Sequence, residues 1–182
     1  NFLNADVIII NKESTAPQGN VLELVRNCRR YNPHAAVIHA DSILHIETPE
    51  KIRNKKVIVV EDGPTLTHGG MPYGAGTLAA RQYGGIIINA EEYAMGSLKE
   101  VYKHYPHLHN ILPAMGYSPN QVHELQKTIN RAACDFVIDG SPVNLHNIMK
   151  VNKPIINVSY TLEEKGRPDL NDVLKTIRIK RR

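Results

Sequence analysis

The sequence predicts an α/β protein with mostly parallel sheet and flanking helices, in a Rossmann-like three-layer α/β/α arrangement. Two observations predict it. Short apolar runs of strand length alternate along the chain with amphipathic segments, as in buried parallel strands joined by helices. One of those runs, Val57-Ile58-Val59-Val60, empties into a long loop rich in glycine, threonine and histidine and then into a helix. An open α/β sheet places its ligand in such a loop. With 182 residues the chain can bury one full core, or one core and part of another.

The elements follow in order. The β-branched run at 7–10 predicts the first strand, and strands are expected again at 36–39, 57–60, 86–89, 110–112, 136–138 and 155–158. Helical spacing of apolar residues predicts helices at about 20–30, 76–83, 97–104, 119–134, 144–151 and 170–178. Ser118-Pro119 makes a strong helix start, with Ser as N-cap, Pro at the first helical position and Gln121 placed for a capping box. The polar, lysine-rich stretch from Glu47 to Lys56 is the strongest boundary, which leaves 1–50 as the end of one α/β unit and 51–182 as a second, five-stranded domain. The chain goes from Asn1 almost directly into a strand, and further polypeptide is expected upstream.

Composition excludes several classes. The formal charge of +4 equals the contribution of Arg178, Lys180, Arg181 and Arg182, so a helix end explains it and no nucleic-acid partner is expected. No apolar stretch approaches the roughly 20 residues of a membrane span, so no membrane partner is expected either. Cys28 and Cys134 lack metal-ligand spacing and read as reduced thiols of a cytoplasmic protein. His104, His107 and His109 surround Pro106 without helical spacing or a cysteine, which is poor zinc geometry.

The loop after Val60 has the composition of a phosphate site. Gly69, Gly70, Gly74 and Gly76 let backbone N–H groups approach a ligand, and the helix near Gly76 directs its dipole to the same place. Thr65, Thr67 and His68 add side-chain donors, Glu61 and Asp62 offer oxygens to magnesium, and Tyr73 is placed to stack on a ligand. Arg81, further along the helix, is expected to point away. The strand-to-helix turns Glu91 to Ser97, Ala114-Met115-Gly116-Tyr117-Ser118 and Asp139-Gly140-Ser141-Pro142 bring further N–H groups to the same crevice. A second constellation is Asn11-Lys12 at the end of the first strand, with the end of the next strand, His39 to Ser42, as a second flanking loop. An Asn-Lys-x-Asp sequence holds a nucleotide base in P-loop proteins; here Ser14 stands at the fourth position and lacks the paired acceptor that selects guanine. Gly69 and Gly74 have Walker spacing, but Ala75 stands where Lys is required.

On the run Val59-Val60-Glu61-Asp62-Gly63-Pro64-Thr65-Leu66-Thr67-His68-Gly69-Gly70-Met71 with Tyr73-Gly74-Ala75-Gly76, the chain resembles the C-terminal portion of the cyclic 2,3-diphosphoglycerate synthetase family, which is P-loop GTPase-like. Tyr93-Ala94-Met95-Gly96-Ser97, Leu112-Pro113-Ala114-Met115-Gly116-Tyr117 and Asp139-Gly140-Ser141-Pro142 support the resemblance. It implies an ATP-dependent ligase that closes an internal phosphoanhydride in 2,3-bisphosphoglycerate or a related phosphorylated metabolite, with ATP (or GTP) and Mg2+ as cofactors. It also implies that 1–50 end a P-loop nucleotide-binding domain whose Walker loop lies upstream. On that basis His68 and Asp62 are catalytic candidates. Thr65, Thr67, Gly69, Gly70, Tyr73, Gly74, Gly76, Gly116 and Ser141 are expected to bind the phosphorylated substrate, Asn11 and Lys12 the nucleotide, and Glu61 and Asp62 the metal. A nucleotide-dependent switch without small-metabolite turnover is the alternative, and oligomeric state stays open, with a homodimer among the options.

Overall fold

The computed structural model describes residues 2–114 and 118–176, and the chain forms two compact units, residues 1–43 with 160–182, and 44–159. Gly116 and the basic tail from Arg178 lie outside the described residues. The sequence reading kept 160–182 with the second domain. In the structure the described part of that stretch, 160–176, groups with the first unit, and the last strand, 11 residues long, runs on past the four apolar residues that mark it in the sequence.

The larger unit is built on β3 (Lys56–Asp62). On one side β3 pairs in parallel with β6 (Phe136–Gly140), which pairs in turn with β7 (Ile155–Lys165). On its other side β4 (Ile86–Ile87) pairs with Lys56 and Val57, and β5 (Leu112–Ala114) pairs with Val60, Glu61 and Asp62. Val57, Ile58, Val59 and Val60 are fully buried, and the period of two sends them alternately to two cores. Ile58 and Val60 face Leu98, Tyr102, Leu125 and Ile129, which come from α4 (Ser97–His104) and α5 (Pro119–Arg131). Val57 and Val59 face Ala79 and Ala80 of α3 (Ala75–Gln82). Helices therefore cover both faces of a parallel sheet, the three-layer arrangement expected. Each buried Val or Ile contributes about 1.5–3 kcal/mol. Ser118 caps α5 as expected, accepting from the Gln121 N–H. A short helix, α2 (Gly63–Thr67), stands where the sequence suggested loop, started by Asp62 at the N-cap and Pro64 in the first turn. α6 (Leu145–Ile148) is shorter than expected.

The smaller unit holds β1 (Val7–Ile10), α1 (Gln18–Tyr31), the first part of β2 (Ala36–Ile46), the end of β7 and α7 (Leu170–Thr176). β1 and β2 pair in parallel, Val7 opposite Ala36 through Ile10 opposite His39. The Asn32 side chain donates to the carbonyls of Phe2 and Ala5, fastening the start of the chain to the end of α1. β2 does not stop at His39 as the sequence suggested, so Asp41 and Ser42 lie in mid-strand and form no flanking loop. Asp41 pairs with Lys165 and accepts from both the backbone N–H and the hydroxyl of Ser14.

Lys165, followed by Ser14, holds the Asp41 carboxyl down at about 2, from an ordinary 3.8. The folded value lies below the unfolded one, so the stabilisation is complete above pH 3.8 and disappears as pH falls toward 2. An NMR titration of the Asp41 carboxyl is expected to give a midpoint near 2, and Lys165→Ala to move it upward.

Candidate functional site

The chain leaves β3 through α2 and α3 to reach β4 and β5 on one side, whereas β6 and β7 lie on the other. The carboxyl ends of β3 and β6, where Glu61 stands opposite Gly140, are thus a topological switch point, the position at which open α/β sheets hold ligands. The loops after both strands open there, and Ala114 ends β5 opposite Asp62 on the other flank.

Glu61 dominates this edge. It shares the face of Val57 and Val59, so its side chain meets the start of α3, and it is 1% exposed. Oε1 accepts from the Gly74 N–H (3.1 Å), the Thr77 N–H (2.7 Å) and the Thr77 hydroxyl (2.8 Å), and Oε2 accepts from the Gly76 N–H (3.2 Å). A carboxylate of the protein itself therefore occupies the anion cradle at the N-terminus of α3. This corrects three expectations: the amides of Gly74 and Gly76 go to Glu61 rather than to a substrate phosphate, and Glu61 has its oxygens committed to N–H and O–H donors rather than to magnesium. Burial pushes the Glu61 carboxyl above its usual range, against the pull of Thr77, Gly76 and Gly74. The packing is close: a Cβ on Gly140 would fall 2.5 Å from Glu61 Oε2 and 2.5 Å from Gly76 N. Strand alternation from Val57 and Val59 was the available signal for this role.

Asp139 is the second buried carboxylate, one residue before Gly140, and the sequence reading missed it. Its Oδ1 accepts from the N–H (3.0 Å) and hydroxyl (2.6 Å) of Ser141, and its Oδ2 from the Leu145 N–H (3.0 Å). Burial raises this carboxyl as well. Ser141, expected to bind substrate, thus directs both donors into the turn after β6.

The remaining residues gather on α2 and just beyond it. Asp62 accepts from the Thr65 hydroxyl, and Thr67 Oγ1 reaches the Gly63 carbonyl (2.9 Å) and His68 Nδ1 (3.0 Å). The N–H groups of His68 and Gly69 return to the Pro64 carbonyl, so the Gly69 amide closes the helix end. Gly70 takes φ +63° with open space where a Cβ would stand. Arg81 does not point away: its guanidinium carbon lies 5.4 Å from the centroid of the Tyr73 ring, a cation–π contact beside the loop. Asp62, Thr65, Thr67 and His68 are brought together on α2 and its end, directly after β3.

Asn11 and Lys12 lie in the smaller unit. Asn11 donates to the Ser42 hydroxyl (2.9 Å) and accepts from the Lys12 N–H (2.7 Å), and Lys12 adopts a left-handed conformation at φ 62°. The adjoining open cavity of about 540 Å³ is lined by Glu13, Ser14, His39, Lys165, Arg29 and the apolar side of α1, and not by Asn11 or Lys12. His104 and His109 bond nearby carbonyls, and no group of three metal-ligating side chains occurs among the described residues.

Because the folded Glu61 carboxyl titrates above the ordinary 4.5, the larger unit is most stable with that group protonated and loses stability as pH rises from 4.5. Glu61→Gln is expected to flatten that fall while leaving an N–H unsatisfied, at about 1–3 kcal/mol. Glu61→Ala leaves the donors of Gly74, Gly76 and Thr77 without an acceptor and is expected to cost more than Glu61→Gln, both read by urea unfolding over a pH series.

No protein-family model matches the chain. It is 53% identical over 176 residues to the arginine synthetase ArcE of Thermococcus kodakarensis. That alignment covers 96% of this chain and 39% of the relative, so the chain spans well under half the length of the protein it matches. The relative is a synthetase, as the loop suggested, but its name carries arginine where the loop's resemblance suggested cyclic 2,3-diphosphoglycerate. The chain is similar to part of a synthetase.

Proposed function

We propose that this chain is part of an ATP-dependent ligase, and that its reacting groups meet over the carboxyl ends of β3 and β6. The 53% identity to part of an arginine synthetase carries the reading, since it extends across 96% of the chain and so includes the switch-point loops. On the same ground arginine is the product we favour. A phosphorylated metabolite of the 2,3-bisphosphoglycerate kind is the second reading, favoured by the long loop motif from Val59 to Gly76.

A ligase couples formation of a bond to cleavage of a nucleotide phosphoanhydride, so charged groups must be held together and their developing charge neutralised. His68 is the proposed donor to the reacting phosphate or carbonyl oxygen, positioned by Thr67, whose hydroxyl oxygen meets His68 Nδ1 while its proton goes to the Gly63 carbonyl, and Arg81, stacked on Tyr73, is a candidate cation for the same ligand. Asp62 is the one carboxylate proposed for magnesium. A single carboxylate completed by water and nucleotide phosphates suits that ion, which supplies charge neutralisation when bound. Asn11 and Lys12 are kept as nucleotide contacts, with ATP and GTP both open. Glu61 acts here as a positioning residue.

A catalyst accelerates both directions, so the reaction can be approached from the product without knowing every substrate. The complete polypeptide, given arginine, ADP, inorganic phosphate and magnesium, is expected to form ATP as the bond made in the forward reaction is cleaved in arginine, one ATP for each arginine consumed, with the oxygen lost in condensing ADP and phosphate passing to the arginine carbon. ADP release from ATP that depends on 2,3-bisphosphoglycerate would select the second reading, and hydrolysis indifferent to both compounds would indicate a switch. His68→Ala is expected to lower kcat/KM by about 100-fold with the unfolding midpoint unchanged, and Thr67→Ala to lower kcat/KM as well while losing about 1 kcal/mol with the hydroxyl's bond to Gly63. Unaltered steady-state kinetics in both variants would remove α2 from the site.

A further inference from the structure

We propose that the strap Gly70-Met71-Pro72 closes over the carboxyl end of β3 and brings with it the backbone donors that hold the phosphate of the ligand. The proposal rests on the ligase reading, which supplies a phosphate-bearing ligand.

Composition marks the whole glycine loop as an anion site, and the structure divides its amides into two sets. The N–H groups of Gly69, Gly74 and Gly76 are taken up inside the protein, by the Pro64 carbonyl and by Glu61. Those of Gly70, Met71 and Tyr73 have no acceptor among the described residues. Pro72 has no N–H to give. The donors left for an anion therefore follow one another along a single short stretch. Successive N–H groups beside a left-handed residue, here Gly70 at φ +63°, form a concavity that suits phosphate.

That stretch is also the least held part of the edge, although both its ends are fixed. At one end Gly69 closes α2. At the other, Tyr73 packs partly against the core, lies under the Arg81 guanidinium and is followed by Gly74 on Glu61. Between them Gly70, Met71 and Pro72 are exposed and make no backbone hydrogen bond among the described residues. Local stability follows such bonds and buried contacts, so this segment opens and closes at little cost. A Cβ at Gly70 would meet nothing within 4 Å, and glycine takes either sign of φ, which gives the strap a hinge. Pro72 limits the freedom lost on closing. From Gly69 to Tyr73 the chain reaches at most roughly 14 Å, enough for its tip to move several ångström with both ends in place.

Met71 is that tip. It is one of three large apolar side chains, with Leu78 and Ile86, that the larger unit exposes among the described residues. Its flexible thioether packs over ligands of differing shape. His68, the proposed side-chain donor, stands two residues before the strap, so closure adds main-chain donors beside it and displaces water.

Met71→Cys and the equally exposed Leu78→Cys of α3 test closure in the complete polypeptide by timed alkylation and peptide mass spectrometry. Hydrogen exchange of the 69–74 amides is read in the unaltered protein, and phosphate binding by equilibrium dialysis. The ligands are ADP, inorganic phosphate and magnesium, a set that lacks arginine and so does not turn over. With them bound, Met71→Cys is expected to alkylate at least about tenfold more slowly and the Gly70, Met71 and Tyr73 amides to exchange more slowly, while Leu78→Cys keeps its rate. Phosphate that binds in dialysis but leaves Met71→Cys and the three amides as fast as before overturns the strap and leaves the ligase reading standing. Equal slowing of Leu78→Cys overturns it as well. Phosphate that does not bind at all overturns the strap and the ligase reading together.

Discussion

The architecture of the larger unit depends on one buried carboxylate. Glu61 stands at the end of the central strand with its oxygens filled by two N–H groups of the α3 start, by the Gly74 N–H before it and by the Thr77 hydroxyl. A carboxyl group this deep is tolerable because donors surround it and the positive end of a helix faces it, although burial still raises its pKa. The arrangement fixes where α3 begins, how closely it approaches β3 and β6, and why Gly76 and Gly140 lack side chains. It also takes the amides of Gly74, Gly76 and Thr77 for the protein's own carboxyl group.

The neighbouring strand repeats the device at smaller scale. Asp139 gathers the Ser141 and Leu145 donors as Glu61 gathers those of α3, and the two carboxylates sit one register position apart on adjacent parallel strands. Each turns the chain back toward the sheet by satisfying amides that a helix start leaves open. The turns after β3 and β6 are thereby both tied back to the strand ends they leave.

Much of the fold was legible because the strands are apolar runs of the right length and the helices are amphipathic. Val7–Ile10 and Ser97–His104 lie where the pattern puts them, and Ser118-Pro119 starts its helix. β2 and β7 were read short because their outer halves, Ser42 to Ile46 and Tyr160 to Lys165, mix polar with apolar residues and lose the buried-strand signature. The candidate site was legible as a region and not as a set of bonds. Composition located the loop after Val60, but glycine amides read the same whether they face a phosphate or Glu61. The partner of an amide is set by tertiary packing, and only the alternation of β3 hinted that Glu61 points inward.

One side of β3 is shared by two short strands, β4 at its beginning and β5 at its tip. Asp62 therefore lies beside Ala114 at the tip of the sheet, whereas β4 meets only Lys56 and Val57 at the other end of the same strand, so a residue exchanged next to Asp62 leaves the pairing of β4 untouched.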